Sequence, residues 1–214
     1  MMNYRGMIFD FDGTLADTLG ETRRIFNEIA PDYGIRTVGQ EEMHELRHLS
    51  LKDLLGHLKI PKRKVPVLIA RGTGIMRANI ANLSMIPGMA DVVRTLREPC
   101  ECMGILTSNA TANVEAFLEA HGLTDHFDFI SSTSKLTGKS KHLKAIRKTF
   151  SIRSDELLYV GDEIRDLKAS RKAGVRMAAV TWGFNSRESL AAEGPDYLFD
   201  SPEDFLRLLG RQPG

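Results

Sequence analysis

The sequence predicts an α/β fold, a doubly wound parallel sheet that carries a small inserted all-helical domain. Three observations predict it. Short apolar runs recur along the chain, and most end in Asp, Ser, Thr or Gly, as strands do at a turn. Helical patterns separate the later runs, which is typical of parallel strands joined by crossover helices. About 90 residues separate the first two runs, which leaves room for an insertion.

The predicted strands are apolar runs that are too short for typical helices. They cover residues 7–11, 103–106, 129–130, 157–160, 177–180 and 197–199. The predicted helices between the later strands cover residues 110–121, 140–150, 164–173 and 186–193. Because ligands of such sheets bind at the carboxyl ends of the strands, polar residues at those ends are the first candidates for a functional site.

The long interval after the first strand is predicted to be helical. Three apolar patterns of helical spacing lie within it: Leu19, Thr22, Phe26 and Ile29; Leu51, Leu54, Leu55 and Leu58; and residues 67–83. Pro87 and Gly88 are interpreted as the hinge back to the core. The predicted domains are therefore an α/β core of residues 1–17 and 86–214 and a helical domain of residues 18–85.

Composition excludes several classes of function. Hydrophobic residues make up 42% and charged residues 27% of the chain, which are ordinary globular proportions. The 29 basic residues nearly balance the 28 acidic ones, so no basic field is available for a nucleic acid. No apolar stretch approaches the ~20 residues of a membrane span. Two cysteines, Cys100 and Cys102, are too few for a disulfide framework, and we expect a cytoplasmic protein.

The first predicted strand ends in Asp10-Phe11-Asp12-Gly13-Thr14-Leu15. Carboxylates two residues apart on a strand point the same way, so Asp10 and Asp12 could reach one site. Adjacent anions in a pocket are costly unless a cation lies between them or one is protonated. Mg²⁺ meets this need and also accepts a phosphate oxygen as a ligand. We therefore favour a chemical role over an ordinary turn rich in Asp and Gly.

A second acidic pair follows the fourth predicted strand. Asp162 stands at the strand end, and Asp166 lies four residues later in the first turn of a helix. Acidic residues there also complement the helix dipole, which is the structural alternative. Because the pair stands at a strand end, it is a candidate for metal binding.

Two smaller signals complete the pattern. Thr107 ends the second strand just before a helix, whose first N–H groups favour an anion, although helix capping by Thr107 or Ser108 is compatible with the same geometry. Lys139 and Lys141 open the helix after the third strand, where lysines are unfavourable to the helix dipole. A nearby phosphate or carboxylate would explain one of them.

Together these four segments resemble the haloacid dehalogenase (HAD) superfamily, in its phosphoglycolate-phosphatase-like branch. The order and placement of the motifs carry the resemblance, with the tail Trp182-Gly183-Phe184-Asn185, and the helical insertion is similar to that family's mobile cap domain. The resemblance implies an HAD-like Rossmannoid core with a helical cap. It also implies a Mg²⁺-dependent phosphatase that forms an aspartyl-phosphate.

The resemblance implies a role for each motif residue. It makes Asp10 the nucleophile, Asp12 the general acid and base, and Lys139 the cation that neutralises charge on the nucleophile and phosphate. Many relatives have Lys-Pro at that position, so Lys141 stays an alternative to Lys139. Phosphate binding is implied for Thr107, Gly13, Ser108 and Asn109. Metal binding is implied for Asp10, Asp162, the carbonyl of Asp12, and Asp166, which supports either the metal or the lysine.

Specificity is expected to come from the helical domain, because the core motifs handle only phosphate and metal. By analogy with the family, Arg47, His48 and Ser50 are predicted to face the leaving group of the substrate. A helical cap should enclose a compact molecule and exclude water. We expect a small phosphorylated metabolite, of the phosphoglycolate or sugar-phosphate type, and a monomer or homodimer.

Three alternatives remain at this point. His44-Glu45-Leu46-Arg47-His48 matches the HExxH pattern of zinc proteases, yet a catalytic zinc needs a third protein ligand and no Glu occurs between His48 and Glu98. A phosphosugar mutase would share all four motifs. A haloacid dehalogenase would lack the second acidic residue, so Asp12 argues against C–halogen hydrolysis.

Overall fold

The structure of the protein, a computed structural model, describes residues 4–47, 49, 51–133 and 138–210, without the side chains of residues 44, 51 and 52. Within these ranges one sheet of six strands is present. The strands are β1 (Gly6–Phe9), β2 (Cys102–Thr107), β3 (Phe129–Ser132), β4 (Leu157–Gly161), β5 (Arg176–Val180) and β6 (Tyr197–Phe199). Their order is β3-β2-β1-β4-β5-β6 and every pairing is parallel, which confirms the predicted fold class.

The central strand β1 is buried on both faces, as parallel strands covered by helices are. Met7 and Phe9 pack into one apolar cluster, whereas Ile8 packs into another on the opposite face. Phe9 is in register with Ile105 of β2 and with Val160 of β4. The residues that follow these three strands therefore meet at one edge of the sheet.

The core helices cover both faces of this sheet. They are α5 (Met89–Arg97), α6 (Thr111–Ala120), α7 (Lys139–Thr149), α8 (Ile164–Ala173) and α9 (Arg187–Ala192), and a 3-10 helix follows at Pro202–Leu209. Helices α6 to α9 lie where the sequence predicts them. Helix α5 was not predicted, because Pro87 and Gly88 suggested only a hinge. Its buried residues Met89, Val92, Val93 and Leu96 nevertheless have helical spacing.

Between β1 and β2 lies what we call the helical segment, residues 18–85. Its helices are α1 (Thr18–Ile29), α2 (Gln40–Leu46), α3 (Leu51–His57) and α4 (Val65–Asn79). They share an apolar cluster of their own, formed by Ile29, Ala30, Ile35, Val38, Leu46, Leu58, Ile60 and Leu68. None of the described helices is long and apolar enough to cross a membrane.

The chain leaves the core and returns to it at neighbouring points. Asp17 N–H donates to the Ser84 carbonyl at 2.9 Å, and Ile86 N–H donates to the Leu15 carbonyl at 2.9 Å. Ile80 lies before the return point but packs into the core cluster. The division of the chain into domains at residues 18 and 85 stays a prediction. The two backbone hydrogen bonds between the outgoing and the returning segment favour it.

Candidate active site

Three strand ends meet at the carboxyl edge of the sheet. The strand order reverses between β1 and β4, and such a switch point is where doubly wound sheets bind ligands. Asp10 follows β1 and Asp162 follows β4, so both carboxylates lie at this crevice. Asp10 is fixed there because its N–H donates to the Val160 carbonyl at 2.8 Å, which continues the β1–β4 ladder by one residue.

Asp10 is almost fully buried, with 2% of its surface exposed. Its Oδ1 accepts the Phe11 N–H at 2.8 Å, and its Oδ2 accepts Lys139 Nζ at 2.5 Å. Burial raises the pKa of Asp10 well above its usual value, against the opposing charge of Lys139, and the carboxylates of Asp166 and Asp162 raise it further. The site therefore concentrates negative charge where water is excluded.

Lys139 bridges two of these carboxylates. Its Nζ lies 2.5 Å from Asp10 Oδ2 and 2.7 Å from Asp166 Oδ1. Burial by itself would lower the pKa of Lys139, but these two carboxylates raise it above its usual value, so the ammonium is charged at neutral pH. Lys141 is exposed, because two residues along a helix turn a side chain to a different face. The structure thus places Lys139, and not Lys141, in the site.

Asp166 is held by donors on both oxygens. Its Oδ1 accepts the Tyr159 hydroxyl at 3.0 Å as well as Lys139 Nζ, and its Oδ2 accepts the Glu163 N–H at 3.3 Å. Asp166 therefore lies at the start of α8, where an acidic residue complements the helix dipole, and it also contacts the lysine; its role in metal binding stays a prediction. Tyr159 was not predicted as a site residue, because an aromatic residue inside a buried strand is usually core.

Asp162 is fully buried and held by two donors. Its Oδ1 accepts the Thr14 hydroxyl at 2.9 Å, and its Oδ2 accepts the Phe184 N–H at 2.7 Å. Burial, reinforced by the charge of Asp166, raises the pKa of Asp162 to about 7. Sequence reasoning missed the roles of Thr14 and Phe184, although both stand in segments that it had singled out.

Two glycines make room for the Asp162 carboxylate. A Cβ at Gly183 would lie 2.1 Å from Asp162 Oδ2, and a Cβ at Gly13 would lie 2.4 Å from the same atom. Gly13 also has φ +72°, a conformation that favours glycine. Both glycines are therefore required by the close approach of backbone to the acidic site.

Asp10, Asp162 and Asp166 form an acidic cluster that could hold a metal ion. One oxygen from each lies within 4.8 Å of the others, and all three residues are buried. Carboxylate oxygens are hard donors that suit Mg²⁺, and the raised pKa values of Asp10 and Asp162 indicate a place where a cation is favourable. The donor set therefore fits a divalent metal.

Asp12 lies apart from this cluster and faces Asn109. Both oxygens of the Asp12 carboxylate accept from Asn109 Nδ2 at 3.3 Å. Burial raises the pKa of Asp12, while hydrogen bonding to Asn109 and the charge of Lys139 oppose the rise. The Gly13 N–H donates to the Ala16 carbonyl at 3.0 Å and closes the turn that carries Asp12.

The residues after β2 divide into buried and exposed positions. Thr107 is fully buried, and its hydroxyl accepts the Asn109 N–H at 2.9 Å. Ser108 is exposed. Helix α6 begins at Thr111 and has no side-chain cap, so neither Thr107 nor Ser108 caps it. Asn109 has a positioning function that the sequence did not predict, since it holds the Asp12 carboxylate.

The residues predicted to set specificity are only partly described. Arg47 lies at the end of α2, and its guanidinium donates to main-chain carbonyls of the core loop at residues 181–185. His48 and Ser50 lie outside the described residues. The HExxH pattern is also only partly covered, because residue 48 and the side chain of His44 lie outside the description, whereas Glu45 is exposed.

Comparison with known proteins decides the family. A family model described as haloacid dehalogenase-like hydrolase matches residues 7–180. The chain belongs to this family. The match spans the acidic cluster, Thr107 and Lys139, and the predicted family and enzyme class, a hydrolase of the HAD phosphatase type, are confirmed.

Relatives and solved structures agree with this membership. The chain is 35% identical over 205 residues to a phosphoglycolate phosphatase of Synechococcus elongatus, covering 96% of this chain and 97% of the relative. It is 26% identical over 212 residues to the pyrophosphatase PpaX of Bacillus cereus, covering 97% of each. A haloacid dehalogenase-like hydrolase from Streptococcus pneumoniae shares the fold, with a TM-score of 0.81, 20% identity, and coverage of 98% of this chain and 100% of that one.

Proposed function

We propose that the chain is a Mg²⁺-dependent phosphatase that hydrolyses a small phosphate monoester through an aspartyl-phosphate on Asp10. One observation carries the proposal: Lys139 Nζ bridges Asp10 and Asp166 in a buried site whose third carboxylate, Asp162, belongs to the same acidic cluster. A nucleophilic carboxylate, a fixed cation and a metal-ligating acid within one crevice are the groups that phosphoryl transfer requires.

The metal would be held by oxygen atoms of the acidic cluster. Asp10 and Asp162 are its first candidate ligands, since Asp166 accepts from three donors whereas Asp10 and Asp162 each accept from two. The Asp12 carbonyl is the further ligand that the family resemblance implies. When bound, Mg²⁺ would offset negative charge on the phosphoryl oxygens and on the attacking carboxylate.

In the first half-reaction a carboxylate oxygen of Asp10 attacks phosphorus and the bond to the ester oxygen breaks. Lys139 keeps Asp10 in place and neutralises charge that develops on the transferring group. Asp12 is proposed to be protonated at this stage, a form that burial favours by raising its pKa, and to donate its proton to the departing alkoxide. Thr107 is proposed to contact the phosphoryl group, with Gly13, Ser108 and Asn109 nearby.

In the second half-reaction the roles of Asp12 are reversed. Its carboxylate, oriented by Asn109, takes a proton from a water molecule. The water oxygen attacks phosphorus, the Asp10–phosphorus bond breaks, and inorganic phosphate leaves. Asp12 is then protonated and Asp10 is ionised, as at the start of the cycle.

We propose a small phosphorylated metabolite as substrate, of the phosphoglycolate or sugar-phosphate type. Support comes from the phosphoglycolate phosphatase of Synechococcus elongatus, which matches nearly the whole length of both chains. His48 and Ser50 are kept as the residues proposed to select the leaving group, whereas the guanidinium of Arg47, predicted with them, donates to core carbonyls at residues 181–185.

A cytoplasmic location is also proposed, because the chain has two cysteines and no disulfide framework. Both cysteines are free and buried, and burial raises the pKa of each thiol to about 12, so neither is reactive.

The decisive experiment measures phosphate release from a panel of small phosphate esters, with Mg²⁺ and with EDTA. Asp10→Asn protein should lose turnover at least about 1,000-fold, because the amide is not a nucleophile. Asp125→Asn serves as the matched control, since Asp125 is exposed and distant from the motifs in sequence. Full activity in Asp10→Asn protein would refute the mechanism, and a sugar phosphate isomerised without phosphate release would favour the mutase alternative.

A further inference from the structure

Arg47 joins the helical segment to the core through main-chain atoms. Its Nη2 donates to the Thr181 carbonyl at 2.8 Å and to the Asn185 carbonyl at 2.7 Å, and its Nε donates to the Phe184 carbonyl at 3.3 Å. Arg47 is only partly exposed. Three carbonyl oxygens thus converge on one guanidinium from a single stretch of the core, residues 181–185, which we call the acid loop.

The acid loop also holds the acidic site in place. Phe184 N–H donates to Asp162 Oδ2 at 2.7 Å, and Asn185 N–H donates to the Asp162 carbonyl at 3.3 Å. Asn185 Oδ1 accepts the Ile164 N–H at 2.9 Å, which fixes the start of α8. Arg47 and Asp162 are therefore both hydrogen-bonded to the same short loop.

Arginine suits this position better than lysine does. A guanidinium presents several donors in a fixed plane, whereas an ammonium is a compact point charge on a flexible stem. Burial lowers the pKa of Arg47, and the nearby carboxylates of Asp162 and Glu188 oppose that shift. The same cation thus has a favourable field from the acidic site and several acceptors on the loop that shapes it.

We propose that Arg47 is a positioning residue: by docking the helical segment on the acid loop, it fixes the orientation of the Asp162 carboxylate. The consequence for Mg²⁺ and for turnover rests on the proposed function, while the link between Arg47 and the acid loop does not. In this arrangement the site is fully ordered only when the helical segment is docked.

The test measures residue-resolved amide hydrogen exchange in the substrate-free protein. In Arg47→Gln protein, the amides of Phe184, Asn185 and Ile164 should exchange at least about tenfold faster. Loss of a charge-assisted hydrogen bond should raise the population of the locally open state by about that factor. Arg71→Gln is the matched control, since Arg71 pairs with Asp32 inside the helical segment at 2.7 Å. Exchange at these three amides should be unchanged in the control.

A conservative variant keeps the test decisive if Arg47→Gln protein does not fold. Arg47→Lys retains the charge but cannot bridge three carbonyls, so the same amides should exchange faster than in wild type, by about threefold or more. Wild-type exchange in either variant would overturn the proposal. The Mg²⁺ concentration for half-maximal phosphate release should also rise in both variants.

The outcomes separate this inference from the proposed function. If Arg47 instead contacts the substrate, Arg47→Gln raises KM for the ester while amide exchange in the substrate-free protein stays at wild-type rates, which would refute the positioning role. If wild-type protein releases no phosphate from any ester, the proposed function fails, and the exchange measurement still decides whether Arg47 orders the acid loop.

Discussion

At the scale of single residues, the site depends on how a few buried charges are partnered. Asp10, Asp162 and Asp166 would repel one another in a space without water, and Lys139 offsets part of that charge through two short ion pairs. A pair of this kind is costly to break, because removing one partner leaves the other charge buried and uncompensated.

We predict that Lys139→Met abolishes activity and destabilises the protein by about 3–5 kcal/mol at neutral pH, since two buried carboxylates lose their cation. Urea denaturation in EDTA measures the change in the free energy of unfolding. Lys141→Met is the control, because Lys141 is exposed and its replacement should change stability by less than about 0.5 kcal/mol. Equal effects of the two substitutions would contradict the assignment of Lys139.

At the scale of elements, the acid loop is shaped by the absence of a side chain. A Cβ at Gly183 would lie 2.1 Å from Asp162 Oδ2 and 2.2 Å from Asp162 Cβ. Such contacts require the loop or the aspartate to move. Since the loop also supplies the Phe184 N–H to Asp162, a shift of the loop removes a donor as well as space.

Gly183→Ala is expected to destabilise the protein by about 1–3 kcal/mol, as overpacking does, and to reduce Mg²⁺-dependent phosphate release. Gly74→Ala is the matched control. Gly74 lies in α4, and a Cβ there would have no neighbouring atom within 4 Å, so alanine should stabilise the helix by about 0.5–1 kcal/mol. Thermal unfolding of both variants measures the contrast, and a neutral Gly183→Ala would show that the loop has more room than this geometry allows.

At the scale of the whole molecule, the buried acids make stability depend on pH. The pKa of Asp162 is raised from 3.8 to about 7 in the folded chain. Between these values the folded state binds more protons than the unfolded state, so stability falls as pH rises through this window. Above the pKa of Asp162 in the folded state the loss of stability is complete. A bound cation would restore stability by favouring the carboxylate.

We therefore predict that, in EDTA, the free energy of unfolding of wild-type protein falls between about pH 4.5 and pH 7 relative to that of Asp162→Asn protein, in which this titration is absent. Urea midpoints at pH 4.5, 6 and 8 measure the difference between the two proteins. A difference that stays constant over this range would mean that Asp162 titrates normally. Added Mg²⁺ should stabilise wild type above pH 7 and have a smaller effect on the variant.

The parallel sheet, four of the core helices and the acidic motifs were predictable from the sequence, because strand and helix periodicity and the residues at strand ends are local properties. The sequence left open whether Lys139 or Lys141 is the lysine of the site. Only the orientation of helix α7 decides this, because it turns Lys139 toward Asp10 and leaves Lys141 exposed. The partners Thr14, Tyr159, Asn109 and Phe184 were decided by tertiary structure, since hydrogen bonds between distant segments leave no local pattern. The contact of Arg47 with the acid loop belongs to the same class, because it joins residues more than 130 positions apart.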